Sequence, residues 1–260
     1  MIRVLAIGNS FSDDARTFVP DIAASVGEEI IFGNLYIGGC SLETHWHNAE
    51  NDLAAYDYTL TGFEPRPASI REALEQGPWD CVTLQQASHF SGQYATYQPY
   101  LNQLARYVRR YAPQAEILVH QTWAYEIDST HPGFDAYGRD QARMYASLWD
   151  AYDRAARDLG GARVIPCGDA FQIARRHPLF DYPHGGLSLN RDGFHASFTH
   201  GRYLLGCVWV EMLTGQTLTD SAFVPSLPDD PAQTPTAQQL QALRAAAHEA
   251  IARRQDRGMA

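Results

Sequence analysis

The chain has 260 residues, 45% of them apolar and 19% charged, which suffices for a full core in one large domain. Thirty acidic residues against twenty basic give a net charge of −10, which argues against nucleic acid or an anionic membrane as partner, since both select Lys and Arg. Cys40, Cys81, Cys167 and Cys207 lack paired spacing, and contexts such as WDCVTL and LLGCVWV suit buried free thiols, so a reducing, cytoplasmic setting is expected. No apolar run reaches the roughly 18 residues of a membrane helix, and RVLAIG is too short for a signal-peptide core.

Along the chain, short apolar runs alternate with longer stretches of helical periodicity, the pattern of parallel strands joined by crossover helices. Strands are expected at residues 2–7, 29–37, 80–85, 116–121 and 163–166. Helices are expected at 13–26, roughly 47–56, 69–76, 94–111, 139–159, 168–175, 199–213 and 236–253. These imply an α/β class: a three-layer α/β/α sandwich around a mostly parallel, five-stranded sheet, folded as one domain over 1–260. Residues 125–138 and the Pro- and Asp-rich 216–235 read as loops, the second a strap or lid leading to an amphipathic last helix at 236–254.

The stretch IGNSFSDD places Ser10 after the first strand and before a helix, at the strand end where open α/β sheets bind ligands. A phosphate loop would need more glycine or a lysine than Gly8 alone supplies. A capping role fits Ser12 better, because Asp13 and Asp14 follow it. Ser10 is thus a candidate nucleophile, and a nucleophilic serine needs a base and a group that orients the base. LNRDGFHASFTHG supplies both: Asp192 and His195 are three residues apart, so one turn of backbone brings a carboxylate to one ring nitrogen and leaves the other for Ser10.

With these motifs the chain resembles the SGNH (GDSL-type) hydrolases, and within them bacterial members with a Gly-Asn-Ser-Phe opening whose substrates are uncharacterised. IGNSFS is similar to the family's first block, with Asn9 where Asp is commoner; IGGCS to the second, which implies Gly39 as an oxyanion-hole donor; and RDGFHAS to the last. The resemblance implies a flavodoxin-like fold with Ser10 as nucleophile, His195 as general base and Asp192 as its orienting partner. The third block departs from the common Gly-x-Asn-Asp: LQQASHF is similar to the Gln-Gly-Glu-Ser form of sugar acetylesterases, which implies Gln85 as amide donor, with Gln86 and His89 as the competing choices. Successive residues of a strand face opposite ways, so only one of Gln85 and Gln86 is expected to face the site.

ETHWHN sets His45 and His47 two apart, and in an extended segment both rings would point one way, as a metal pair does. No further ligand set completes such a shell, so no metal or other cofactor is expected. His120 reads as a satisfied histidine near the core. Trp46, Phe90, Tyr94, Trp123, Tyr125, Phe180 and Tyr182 fall in or beside strand-end loops, where flat aromatic walls suit sugars; Trp46, His47, Trp123 and Tyr125 are the candidate substrate contacts. The expected activity is hydrolysis of a short-chain, acetyl-type ester of a carbohydrate or similar small molecule. A lipase- or thioesterase-like acyl hydrolase of the same fold and a non-catalytic glycan-binding module are the alternatives.

Overall fold

A computed structural model describes residues 1–227 and 229–258. Its sheet has seven strands: β1 (Ile2–Gly8), β2 (Ile30–Tyr36), β3 (Tyr56–Leu60), β4 (Phe63–Ala68), β5 (Cys81–Leu84), β6 (Glu116–His120) and β7 (Val164–Ile165), in the order β4-β3-β2-β1-β5-β6-β7. β1 lies at the centre because it is apolar from Val4 onward: Val4, Leu5, Ala6 and Ile7 are all buried. It runs parallel to β2, with Ile2 opposite Ile30 and Gly8 opposite Tyr36, and parallel to β5, with Val4 opposite Cys81 and Ile7 opposite Leu84. β5 and β6 continue the parallel set.

The α/β class is the one expected, and all five expected strands are present. The correction is the strand count. β3 pairs antiparallel with β2, and β4 antiparallel with β3 across a bulge near Tyr58. Prolines at 65 and 67 argue against a strand in sequence, yet β4 is the sheet's edge, where two missing N–H donors at alternate residues can face outward at no cost to the ladder.

Of the helices, α1 (Ser10–Arg16) and α2 (Val19–Ser25) replace one expected helix. Pro20 has no N–H to carry the ladder through, but is accepted in the first turn of α2. α3 (Leu42–Glu50) begins well before the expected 47, because Ser41 caps it by accepting from Thr44 N. α4 (Ile70–Glu75) has a reciprocal capping box between Ser69 and Glu72. α5 (Tyr100–Tyr111) buries Leu101, Leu104, Ala105 and Val108, one helical stripe. α6 (Gln141–Asp158), α7 (Cys167–Ala174), α8 (His200–Thr214) and α9 (Ala237–Gly258) complete the set. The 216–235 strap is irregular apart from one 3-10 turn at Pro231–Gln233; position 228 within it, like 259 and 260, lies outside the described residues.

The described residues form two compact units. The first comprises Met1–Asp13, Glu29–Thr122 and Ala146–Val164, and holds β1 to β6 with α3, α4 and α5. The second comprises Asp14–Glu28, Trp123–Tyr145 and the chain from Ile165 onward. There α9 packs on α7 and α8 through Leu240, Leu243, Ala247, Ala250 and Ile251. All four cysteines are buried free thiols. Burial pushes the thiols of Cys40 and Cys207 up to about 12 and that of Cys81 up to about 11, and holds that of Cys167 well above its ordinary value.

Candidate active site

Ser10 is the first residue of α1, half-buried, directly after the C-terminal end of the central strand. The turn is tight: a Cβ on Gly8 would come 2.3 Å from Ser12 Oγ and 3.1 Å from Gln85 Oε1. The cap of α1 is Asn9, whose Oδ1 accepts from Phe11 N at 3.0 Å, and not Ser12 as expected. Ser12 lies inside the helix, its hydroxyl 2.9 Å from Asn9 O and 2.7 Å from Asn34 Oδ1.

Asn9 is also the centre of a buried network. Its Nδ2 donates to Cys40 O at 3.1 Å, and its Oδ1 accepts from Gln85 Nε2 at 2.6 Å. Gln85 Oε1 in turn accepts from His120 Nδ1 at 2.7 Å. Backbone groups settle both amide orientations, since Phe11 N can only donate and Cys40 O can only accept. His120 is fully buried and held neutral, its pKa lowered to about 3 by desolvation. Asn9 thereby ties the serine turn to the loop after β2, where Gly38 and Gly39 are exposed. Gly39 has φ +63°, left-handed backbone, with no atom within 4 Å of where a Cβ would sit.

β5 ends at Leu84, so strand alternation does not govern the two glutamines after it. They diverge all the same. Gln86 accepts from Leu42 N and Ala87 N through Oε1 and donates to Thr96 O and Oγ1 through Nε2, which commits it to bracing α3 and the 94–96 turn. His89 is half-buried with its ring 4.1 Å from that of Phe90.

The second unit carries the Asp-x-x-His turn. Asp192 Oδ2 meets His195 Nδ1 at 2.7 Å, and Oδ1 accepts from His195 N at 2.8 Å and Phe194 N at 3.2 Å. Partial burial opposes ionisation of this carboxylate, but the bonds from the His195 ring and from the two N–H groups outweigh it and hold its pKa below the usual value. With Nδ1 donating to Asp192, the basic lone pair of the imidazole is on Nε2.

The carbonyls of this turn are held in succession. Gly193 O accepts from Glu126 N, Phe194 O from Trp123 Nε1, His195 O from Arg191 N and Asn190 Nδ2, and Ala196 O from Arg191 Nη1. Gly193 has φ +85° and packs on Ser129, where a Cβ would meet three atoms at 3.0–3.1 Å. Beneath lies a buried pair, Arg175 and Glu126, 3.8 Å apart, with Arg175 Nη2 donating to Asn190 Oδ1 and Ser188 Oγ to Glu126 Oε2. None of these supports was expected from sequence. The signal was weak: Trp123, Glu126 and Ser129 lie more than sixty positions from the motif, and Ser188, Asn190 and Arg191 beside it read as ordinary loop residues.

Other expectations need correcting. Trp123 and Tyr125 are fully buried, as is Phe180. Trp123 stacks on Phe171 at 4.8 Å and braces Phe194 O, so it offers no face to a substrate. His45 and His47 lie on α3, where a spacing of two sends side chains to opposite faces: His45 is buried and bonded to Tyr56 OH at 2.8 Å, whereas His47 is exposed. Burial lowers His45 to a pKa of about 3. Trp46 is half-buried, edge-on to Tyr107.

The mostly parallel sheet with its connecting helices is a fold also found in SGNH-type hydrolases. A carbohydrate esterase family 3 protein from Talaromyces cellulolyticus shares this fold at TM-score 0.51 and 12% identity, over 83% of this chain and 97% of that one. A protein from Slackia heliotrinireducens, provisionally described as an SGNH hydrolase, does so at TM-score 0.55 and 21% identity, over 81% and 97%. The chain itself belongs to the family described as "Domain of unknown function (DUF4886)", whose profile matches residues 3–250. A DUF4886 family protein from Bacteroides uniformis ATCC 8492 is 37% identical over 96% of this chain and 95% of that one, with TM-score 0.88. No curated protein matches the sequence. Among the described residues no helix is long and apolar enough to cross a membrane.

Proposed function

We propose that the chain is a serine esterase that removes a short acyl group, acetyl in the first instance, from a carbohydrate or similar polyol. The observation that carries this reading is the Asp192–His195 pair, a carboxylate 2.7 Å from Nδ1 in a turn whose Gly193, Phe194 and His195 carbonyls are all hydrogen-bonded. It is the base and orienter that a strand-end serine requires.

In this mechanism Ser10 Oγ attacks the ester carbonyl carbon and its proton passes to His195 Nε2. The oxyanion is held by the N–H groups of Ser10 and Gly39 and by the Gln85 amide. Collapse expels the alcohol, which takes the proton from His195. Water, deprotonated by the same nitrogen, then attacks the acyl-enzyme and releases the acid and Ser10. Gln86 is a poorer donor than Gln85, because its amide nitrogen already bonds two acceptors, Thr96 O and Oγ1, whereas that of Gln85 bonds one, Asn9 Oδ1. The sugar-ester class is supported by the fold shared with a carbohydrate esterase and by Trp46, Phe90, Tyr94 and Tyr182, which keep part of each ring exposed.

The test is turnover of p-nitrophenyl acetate by wild type and Ser10→Ala, with and without EDTA, followed by acyl chains of increasing length and acetylated sugars. Activity that vanishes with Ser10 and ignores EDTA supports the reading. Equal turnover by both proteins overturns Ser10 as nucleophile, and faster turnover of long chains than of acetyl moves the activity to a lipase or thioesterase. Gln85→Ala is expected to lose about 10²- to 10³-fold in kcat, the usual cost of one oxyanion donor, and less than Ser10→Ala.

A further inference from the structure

Asp14 is buried to 1% exposure, yet it is a carboxylate. Its oxygens accept from Arg191 Nη1 at 2.8 and 2.9 Å, from Arg202 Nε at 2.8 Å and from Ala196 N at 3.0 Å. Both guanidiniums also lie over the ring of Phe198, each 4.9 Å from its centroid. A buried carboxylate between two arginines is no efficient way to gain stability, because desolvating three charges offsets most of their attraction and an apolar set of similar volume does as well.

What this cluster does is local. Arg191 and Ala196 are the two residues on either side of the 192–195 turn. They are already drawn together, since Asn190 and Ala196 form a bridge and Arg191 N donates to His195 O at 3.0 Å. Asp14 holds one stem by its side chain and the other by its backbone N–H, so the turn carrying Asp192 and His195 is gripped at its base from a third segment of the chain.

We propose that Asp14 is a positioning residue for the general base, acting through Arg191 and Ala196 to fix the bearing of the Asp192–His195 pair. This rests on His195 being the base of a serine esterase. Arg202 adds a second cation on the carboxylate but stands outside the turn, so Arg191 is the more important of the two arginines for turnover.

The experiment compares Asp14→Asn, Arg191→Met and Arg202→Met with wild type for kcat and KM on p-nitrophenyl acetate, and for the ring 15N–1H correlations of His195, which report its tautomer and its bond to Asp192. Misaligning a general base by a fraction of an ångström is expected to lower kcat about 10- to 100-fold in Asp14→Asn, with KM within about threefold and the His195 correlations shifted or broadened. Arg191→Met should lose more kcat than Arg202→Met. Folded Asp14→Asn with wild-type kcat and unaltered His195 correlations overturns the proposal, as does a variant that only melts earlier. If Asp14→Asn does not fold, the order of the two arginine variants decides, and equal losses overturn it. Absence of Ser10-dependent turnover in wild type would sink the esterase reading instead. The His195 correlations of the variants then still decide whether Asp14 sets the geometry of the turn.

Discussion

Asn9 receives the side-chain amide of Gln85 at 2.6 Å while its own amide grips Cys40 O, so one buried residue joins three segments around Ser10. Both halves of its amide are in use. Asn9→Asp keeps the acceptor but has no donor for Cys40 O, and it places a carboxylate where only 1% of the residue is exposed. A loss of about 1–3 kcal/mol is expected from the orphaned carbonyl, read as a lower urea midpoint at unchanged m-value.

Two glycines are irreplaceable for different reasons. At Gly8 the obstacle is space, because an added methyl collides with Ser12. Gly8→Ala should cost about 1–3 kcal/mol by overpacking, visible in a thermal melt. At Gly193 the obstacle is both φ +85° and contact with Ser129. Gly193→Ala should also lower kcat, since the strain falls between Asp192 and His195; full activity in that variant would show that the turn tolerates the distortion.

Trp123 is a brace and not a substrate wall, which makes Trp123→Phe informative. Stacking on Phe171 survives in part, but the Nε1 bond to Phe194 O is lost. The expected outcome is a loss of about 1 kcal/mol of stability and a fall in kcat with KM unchanged. A rise in KM alone would return Trp123 to the binding surface.

Asp192 has a depressed pKa in the folded state. A carboxylate of this kind adds stability above its unfolded value and loses that contribution as the pH falls through the folded one. Wild type should therefore exceed Asp192→Asn in urea midpoint at about pH 7, with the gap narrowing as the pH falls below the ordinary carboxylate range. The gap is small, because the side chain is 41% exposed and solvent screens it. The catalytic effect is separate and larger, about 10²-fold or more in kcat.

The parallel strands were legible because each is a short apolar run between turn residues, and the contact between Asp192 and His195 because a spacing of three lets one turn of backbone join them. Strand β4 was hidden by Pro65 and Pro67, whose cost vanishes only at an edge that sequence does not mark. His45 and His47 were misjudged because the Ser41 cap starts α3 earlier than its apolar pattern suggests. Trp123 and Tyr125 failed for another reason: an aromatic near a strand end reads the same whether it faces a ligand or the core. Asp14 shows the deepest limit, since its partners lie 177 or more residues away and no local pattern announces them.

The four cysteines also make a built-in clock. A thiolate is the form that reacts, and burial keeps all four thiols protonated and covered. Native protein should leave a disulfide reagent such as DTNB nearly colourless, and each sulfur that reacts marks a moment when its surroundings had opened. Cys40 and Cys81 lie in the first compact unit, Cys167 and Cys207 in the second. Pulse alkylation followed by peptide mass spectrometry would therefore time the breathing of each unit by its own pair of sulfurs, with no label added.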